Sequence, residues 1–198
     1  MNYTLAIPSN KRMEEDSLKC LKEAGLTITR HGRDLKGSCV ERADIIPVFI
    51  DYKDIAIFVG RGDIDFGITT SAALQEHKSP ANTVEKLDFS HCRLVFAANE
   101  PVPDIQSWYG QRIAAKYPVL ATEFFKNNGR NDIEILPVSG STEIYPIIGL
   151  VQGIVDIAQS GASLRENGLF EVAELMPVQA VFIQNPHLKS NTLGFKLF

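Results

Sequence analysis

The chain has 198 residues, 44% hydrophobic and 22% charged, a balance that excludes disordered and collagen-like classes and matches an ordinary globular protein. At this length about 70% of the unfolded surface can be buried, so one domain or two small lobes can form without disulfides or a structural metal. A net charge of −4 gives no bulk attraction to nucleic acid or to an anionic membrane, so an anionic ligand must be met by a local cluster of donors.

Cys20, Cys39 and Cys92 are scattered without CxxC spacing, which suits reduced thiols in a reducing compartment. The start lacks a basic n-region with a long apolar core, so no signal peptide is expected. No stretch reaches the ~20 apolar residues of a membrane span. The expected location is the cytoplasm.

In chain order, residues 3–7 read as a buried strand. A helix over 11–24 follows, with Met13, Cys20, Leu21 and Ala24 on one face and Gly25 as its stop. Residues 45–50 read as a strand whose Pro47 belongs at an edge or a bend. A helix over 53–60, a strand over 65–69 and a short helix over 71–76 come next. Residues 92–98 are apolar enough for a central strand. Pro101 and Pro103 mark the best candidate for a crossover between lobes. Then come strand 112–116, helix 118–127, strand 133–138, helix 143–150, strand 154–159, a helix from Ser163 and a last strand over 178–184. Alternating β and α elements with apolar strands predict mixed, mostly parallel sheets covered by helices.

The stretch from Gly62 through Asp65 to Thr70 echoes the stretch from Gly153 through Asp156 to Gly161, each a Gly-x-x-Asp leading into a short strand that ends in small or hydroxyl residues. The echo points to two similar lobes with strand ends facing one cleft, where open α/β sheets bind ligands. Common α/β punctuation explains it equally well.

The most informative chemistry lies at Asp156, Gln159, Ser160, Gly161, Ala162 and Ser163, where an apolar strand stops at a Gly turn before a helix. Backbone N–H groups and hydroxyls converging there make an anion cradle, and Asp156 can accept hydrogen bonds from sugar hydroxyls. A plain N-cap with a turn explains the same residues. The histidines His31, His77, His91 and His187 are isolated, and no nucleophilic triad or Walker loop is present.

The run from Ser139-Gly-Ser-Thr-Glu143 through Pro146, Gly149, Asp156 and Gly161 to Gly168 resembles the signature region of ATP phosphoribosyltransferases, the enzymes of the first step of histidine biosynthesis. Gly62-Asp-Ile-Asp-Phe-Gly-Ile-Thr69, Leu87-Asp-Phe-Ser-His-Cys-Arg-Leu94 and Gln111-Arg-Ile-Ala-Ala-Lys-Tyr-Pro118 agree in order and spacing, so the resemblance covers nearly the whole chain. It implies a two-lobed, periplasmic-binding-protein-like α/β fold with a central cleft. Lobe I would be residues 1–92 plus 177–198, and lobe II residues 93–176, carrying the phosphoribosyl pyrophosphate loop.

By that resemblance ATP condenses with 5-phosphoribosyl 1-pyrophosphate to give phosphoribosyl-ATP and pyrophosphate. The donor would be bound by Glu143, Asp156, Gln159, Ser160, Gly161, Ala162 and Ser163. Glu143 also reads as a capping box with Gly140 and Ser141, and Lys116-Tyr117-Pro118 as a strand end before a Pro-started helix. Arg12, Arg33 and Lys53 are the candidates to stabilise pyrophosphate, and Thr69, Thr70 and Ser71 to line the ATP side. The family usually carries Lys-Gly-Arg or Lys-Ser-Gly-Arg after the first strand; here Pro8-Ser-Asn-Lys11-Arg12 keeps the arginine and moves the lysine. Asp51-Tyr-Lys53 stands where the family has a cation, one residue and an arginine, and Lys cannot reproduce a bidentate guanidinium contact.

The implied cofactor is Mg2+ carried by the substrate phosphates. Asn185 to Phe198 are too few for a further domain, since ~40 residues are the usual minimum. This implies the family's short form, working as a homodimer with a histidyl-tRNA-synthetase-like regulatory subunit. A non-catalytic phosphoribosyl- or nucleotide-binding or modulatory subunit of the same fold is the rival reading, and the altered basic residues are its support.

Overall fold

The computed structural model describes residues 2–189. It divides into one unit running up to Ser90 and resuming at Gln179, and a second unit, His91–Val178. Pro101 and Pro103 lie inside the second unit, so the crossover expected there falls at Ser90–His91 and Val178–Gln179 instead. Residues 190–198, part of the 185–198 tail, lie outside the described residues.

The first unit contains β1 (Tyr3–Pro8), α1 (Lys11–Glu23), β2 (Ile28–Thr29), β3 (Ser38–Cys39), β4 (Ile45–Ile50), α2 (Tyr52–Arg61), β5 (Phe66–Thr70), α3 (Ser71–Glu76) and β6 (Asn82–Lys86). The second contains β7 (Cys92–Ala98), β8 (Arg112–Ala115), α4 (Pro118–Asn127), β9 (Glu134–Pro137), α5 (Ile144–Ile147), β10 (Gly153–Ala158), α6 (Ala162–Glu166) and β11 (Phe170–Val178). The chain then returns to the first unit as β12 (Ala180–Gln184).

In β1, Leu5 and Ile7 pack in one cluster with Cys20 and Leu21 of α1, while Ala6 packs in another with Ile55 and Val59 of α2. Apolar residues at successive positions are therefore all buried, because helices cover both faces. Asn10 caps α1 by accepting the Met13 N–H at 3.0 Å, and Asp51 caps α2 by accepting the Lys53 N–H at 2.8 Å. A Cβ on Gly67 would stand 2.4 Å from Ile55 Cγ2, so the missing side chain lets α2 lie close on β5. Pro47 sits on β4, at the sheet edge, where its missing N–H costs no ladder bond.

The first sheet runs β4-β1-β5-β12-β6, and the second, read in the matching direction, β9-β8-β10-β7-β11. In each, the first three strands are mutually parallel, the fourth is antiparallel to the third, and the fifth is antiparallel to the fourth. Four of the five strands thus share one direction in both units. The two echoing sequence stretches become β5 and β10, the central strand of each sheet. The echo is architectural.

Four local expectations change. The helix expected over 143–150 is the single turn α5, because Gly149 turns to φ +74° and the Leu150 N–H bonds back to the Tyr145 carbonyl. The helix expected from Ser163 is the five-residue α6. The expected strand 178–184 divides into the end of β11 and all of β12. Sequence patterning leaves β11 and β6 unassigned: both are edge strands, and register shifts beside Glu171 and Glu174 break the alternation of β11.

Candidate active site

In the second unit β8, β9 and β10 run parallel, so their carboxyl ends emerge along one edge of the sheet. Lys116 follows β8, Thr142 and Glu143 follow β9, and Gln159 to Ser163 follow β10. Carboxyl ends of parallel strands are where α/β sheets bind ligands, since loops there can vary while the strands hold them still.

Asp156, on β10, is buried at 6% exposure. Its Oδ2 accepts the Thr142 hydroxyl at 2.5 Å and lies 2.8 Å from Lys116 Nζ, while Oδ1 accepts the Ile157 N–H at 2.7 Å. Glu143 sits at the start of α5, and its Oε1 accepts the Ser163 hydroxyl at 2.9 Å. Partial burial alone would raise the Glu143 carboxyl. Its own backbone N–H, the Ser163 hydroxyl and the charge of Lys116 outweigh that and hold it below its ordinary value. The capping-box alternative for Glu143 does not form, because Glu143 is itself the N-cap residue of α5 and not its third residue.

Gly161 takes φ +69° ahead of α6, and a Cβ there would lie 3.1 Å from Arg165 Nη1, so only glycine fits the turn comfortably. Arg165 Nη2 reaches the Ser160 carbonyl at 3.3 Å and the Ser160 hydroxyl accepts the Ala162 N–H at 3.4 Å. Because α6 is so short, the turn itself, more than a helix dipole, sets this loop's chemistry. The structure therefore gathers Lys116, Thr142, Glu143, Asp156 and Ser163 into one bonded network.

The first unit repeats the arrangement. Parallel strands β4, β1 and β5 send their carboxyl ends to Lys53 in the first turn of α2, Arg12 in the first turn of α1, and Thr69 to Ser71. Residues 35–37 run along the outer edge of β4 through Gly37 N–H to Pro47 O and Phe49 N–H to Leu35 O. That antiparallel path leads the turn holding Arg33 toward the carboxyl end of β4. Arg12 and Arg33 are exposed and Lys53 half-buried.

The three residues expected on the ATP side all carry bonds within this unit. Thr69 is fully buried and donates its hydroxyl to the Tyr52 carbonyl at 2.6 Å, so it ties β5 to α2. The Thr70 hydroxyl accepts the Ala73 N–H at 3.2 Å and caps α3. Ser71 is half-buried, and its hydroxyl accepts the Gln179 N–H at 3.3 Å.

Sequence reasoning missed Thr142 and Arg30. Arg30 pairs with Glu14 and stacks 4.1 Å over the Phe49 ring, a half-buried cation beside the end of β4. A lone Arg after a two-residue strand carries no spacing signal. Thr142 stands within the recognised run, and only its complete burial marks it.

No helix among the described residues is long and apolar enough to cross a membrane. The family model described as ATP phosphoribosyltransferase matches residues 52–195. An ATP phosphoribosyltransferase from Caldanaerobacter subterraneus subsp. tengcongensis is 35% identical over 185 residues, covering 92% of this chain and 86% of the relative. Another, from Methanopyrus kandleri, is 35% identical over 92% of this chain but only 65% of its own length. Among solved structures, the ATP phosphoribosyl transferase (HisG:HisZ) complex from Thermotoga maritima aligns with TM-score 0.80 at 26% identity, over 93% of this chain and 88% of that one. With this match in sequence and structure, the chain belongs to the ATP phosphoribosyltransferase family.

Proposed function

We propose that the donor side of the family's reaction is run from the Lys116–Thr142–Glu143–Asp156–Ser163 network. The chain is an enzyme that condenses ATP with 5-phosphoribosyl 1-pyrophosphate, the first step of histidine biosynthesis. Adenine N1 bonds to the anomeric carbon as the bond from that carbon to pyrophosphate oxygen breaks, and the electron pair leaves with pyrophosphate. The leaving group is already good. The protein's work is to align two substrates and to stabilise developing negative charge.

In this reading Asp156 and Glu143 accept hydrogen bonds from the ribose hydroxyls, and the turn through Gln159, Ser160, Gly161, Ala162 and Ser163 receives the 5′-phosphate. The observation that carries it is the Asp156 carboxylate, buried yet bonded at the end of three parallel strands. Arg12, Arg33 and Lys53 supply positive charge to the departing pyrophosphate, and Thr70 and Ser71 border the ATP side. Lys116 beside Asp156 disfavours a second cation there, which supports Mg2+ arriving on the substrate phosphates, where it keeps several waters.

The chain works in the cytoplasm as a catalytic subunit, a homodimer that joins a histidyl-tRNA-synthetase-like regulatory subunit. The likeness to the HisG:HisZ complex supports the partnership. Histidine then inhibits only when the partner is present, and saturable histidine binding to the isolated chain with loss of turnover would overturn that part.

The central test mixes protein, ATP, phosphoribosyl pyrophosphate and Mg2+ and follows pyrophosphate and phosphoribosyl-ATP. Asp156→Ala should then weaken the donor by about 1.5–3 kcal/mol, the scale of hydrogen bonds to a charged group. Donor binding without product would favour the non-catalytic reading, and unchanged donor affinity in folded Asp156→Ala would remove the site assignment.

A further inference from the structure

Thr142 is fully buried, and its hydroxyl donates to Asp156 Oδ2 at 2.5 Å. Valine has nearly the shape of threonine and differs from it in lacking the hydroxyl. What threonine adds is a hydroxyl, and burying a hydroxyl is unfavourable unless it is bonded.

That bond joins two pieces of chain. Asp156 is held on the central strand β10, whereas Thr142 lies in the connection from β9 to α5. The carbonyl of Thr142 also accepts the Tyr145 N–H at 3.1 Å, starting the turn, and the next residue is Glu143, whose carboxylate takes the Ser163 hydroxyl. One side chain therefore fixes how the Glu143 segment sits against Asp156, and Lys116 holds the same oxygen from the β8 side.

We propose that Thr142 is a positioning residue for the phosphoribosyl donor: its bond to Asp156 locks the start of α5 to β10, so that Glu143 and Asp156 meet the ribose in one fixed arrangement. This deepens the donor-site reading above and rests on it. The effect lies in donor binding. A group pre-set by packing loses little freedom when the ligand arrives, and the released segment must be ordered at that moment.

The test measures steady-state kinetics and direct phosphoribosyl pyrophosphate binding, with Mg2+, for Thr142→Val, Thr142→Ser and Asp156→Asn in the full chain. Thr142→Val should raise the donor KM and Kd about tenfold, the scale of one hydrogen bond to a charged group, and leave kcat and the ATP KM within about twofold. Thr142→Ser should restore donor binding to within about threefold, since it keeps the hydroxyl. Combined with Asp156→Asn, Thr142→Val should add far less than it does alone, because the two act as one unit. If Thr142→Val fails to fold, Thr142→Ala, which removes bulk instead of replacing it, carries the same expectation.

Wild-type donor affinity in a folded Thr142→Val or Thr142→Ala variant overturns the proposal. A loss that Thr142→Ser does not restore, or one shared equally by donor and ATP, overturns it as well. If Asp156→Asn weakens the donor and Thr142→Val does not, only the positioning role falls. If neither does, the donor-site reading falls with it.

Discussion

Ser163 donates its hydroxyl to Glu143 Oε1 at 2.9 Å, joining the turn after β10 to the start of α5 across a sequence separation of 20. Both groups are partly open to solvent, so the bond adds little to global stability. Its consequence is local order in the loop assigned to the 5′-phosphate. Ser163→Ala should weaken donor binding about three- to tenfold with little change in melting temperature. Isothermal titration with phosphoribosyl pyrophosphate checks it, and an unchanged Kd would detach Ser163 from the donor.

Glu143 gives the pH prediction. Its carboxyl is held below the ordinary 4.5, so the folded state binds this proton less readily than the unfolded chain does. The resulting stability is present above the unfolded value and is lost as pH falls through the lower folded one. Acid unfolding followed by circular dichroism between about pH 5 and 3 should therefore fall less steeply in Glu143→Gln than in the parent. Parallel curves for the two proteins would count against the network.

Lys53 lies in the first turn of α2, beside the carboxyl end of β4. A point charge on a flexible stem grips a diphosphate less well than a guanidinium fork. Lys53→Arg should raise kcat if pyrophosphate release of charge limits turnover. Equal or lower kcat with the fold intact would show that this cation is not limiting.

The thiols should separate by accessibility. Burial, then the nearby charges of Glu23 and Glu85, push the Cys20 thiol up to about 11 from its ordinary 9.0. Only the thiolate reacts with a disulfide reagent, and Cys39 is buried too. At about pH 8 the native protein should react at Cys92 first, and all three cysteines should react in denaturant. Rapid native labelling of Cys20, read by peptide mass, would contradict this packing.

What local sequence patterns determined is most of the helices and strands and the position of the Gly161 turn. Apolar runs at 3–7, 92–98 and 154–159 became β1, β7 and β10, and Asn10, Asp51 and Pro118 mark helix starts because capping is settled within a few residues. Gly161 was legible for the same reason: a turn needing positive φ selects glycine on the spot. Tertiary structure alone decided which polar groups meet. Thr142 and Asp156 are 14 positions apart, and Lys116 arrives on a different strand, so their contact depends on parallel pairing that no local window contains. The same holds for Arg30 over Phe49, for Thr69 tied to Tyr52, and for the bulged edge strand β11. Periodicity reports which face of an element is buried, whereas a hydrogen bond depends on where two separate elements end, and the packing of the sheet sets that distance.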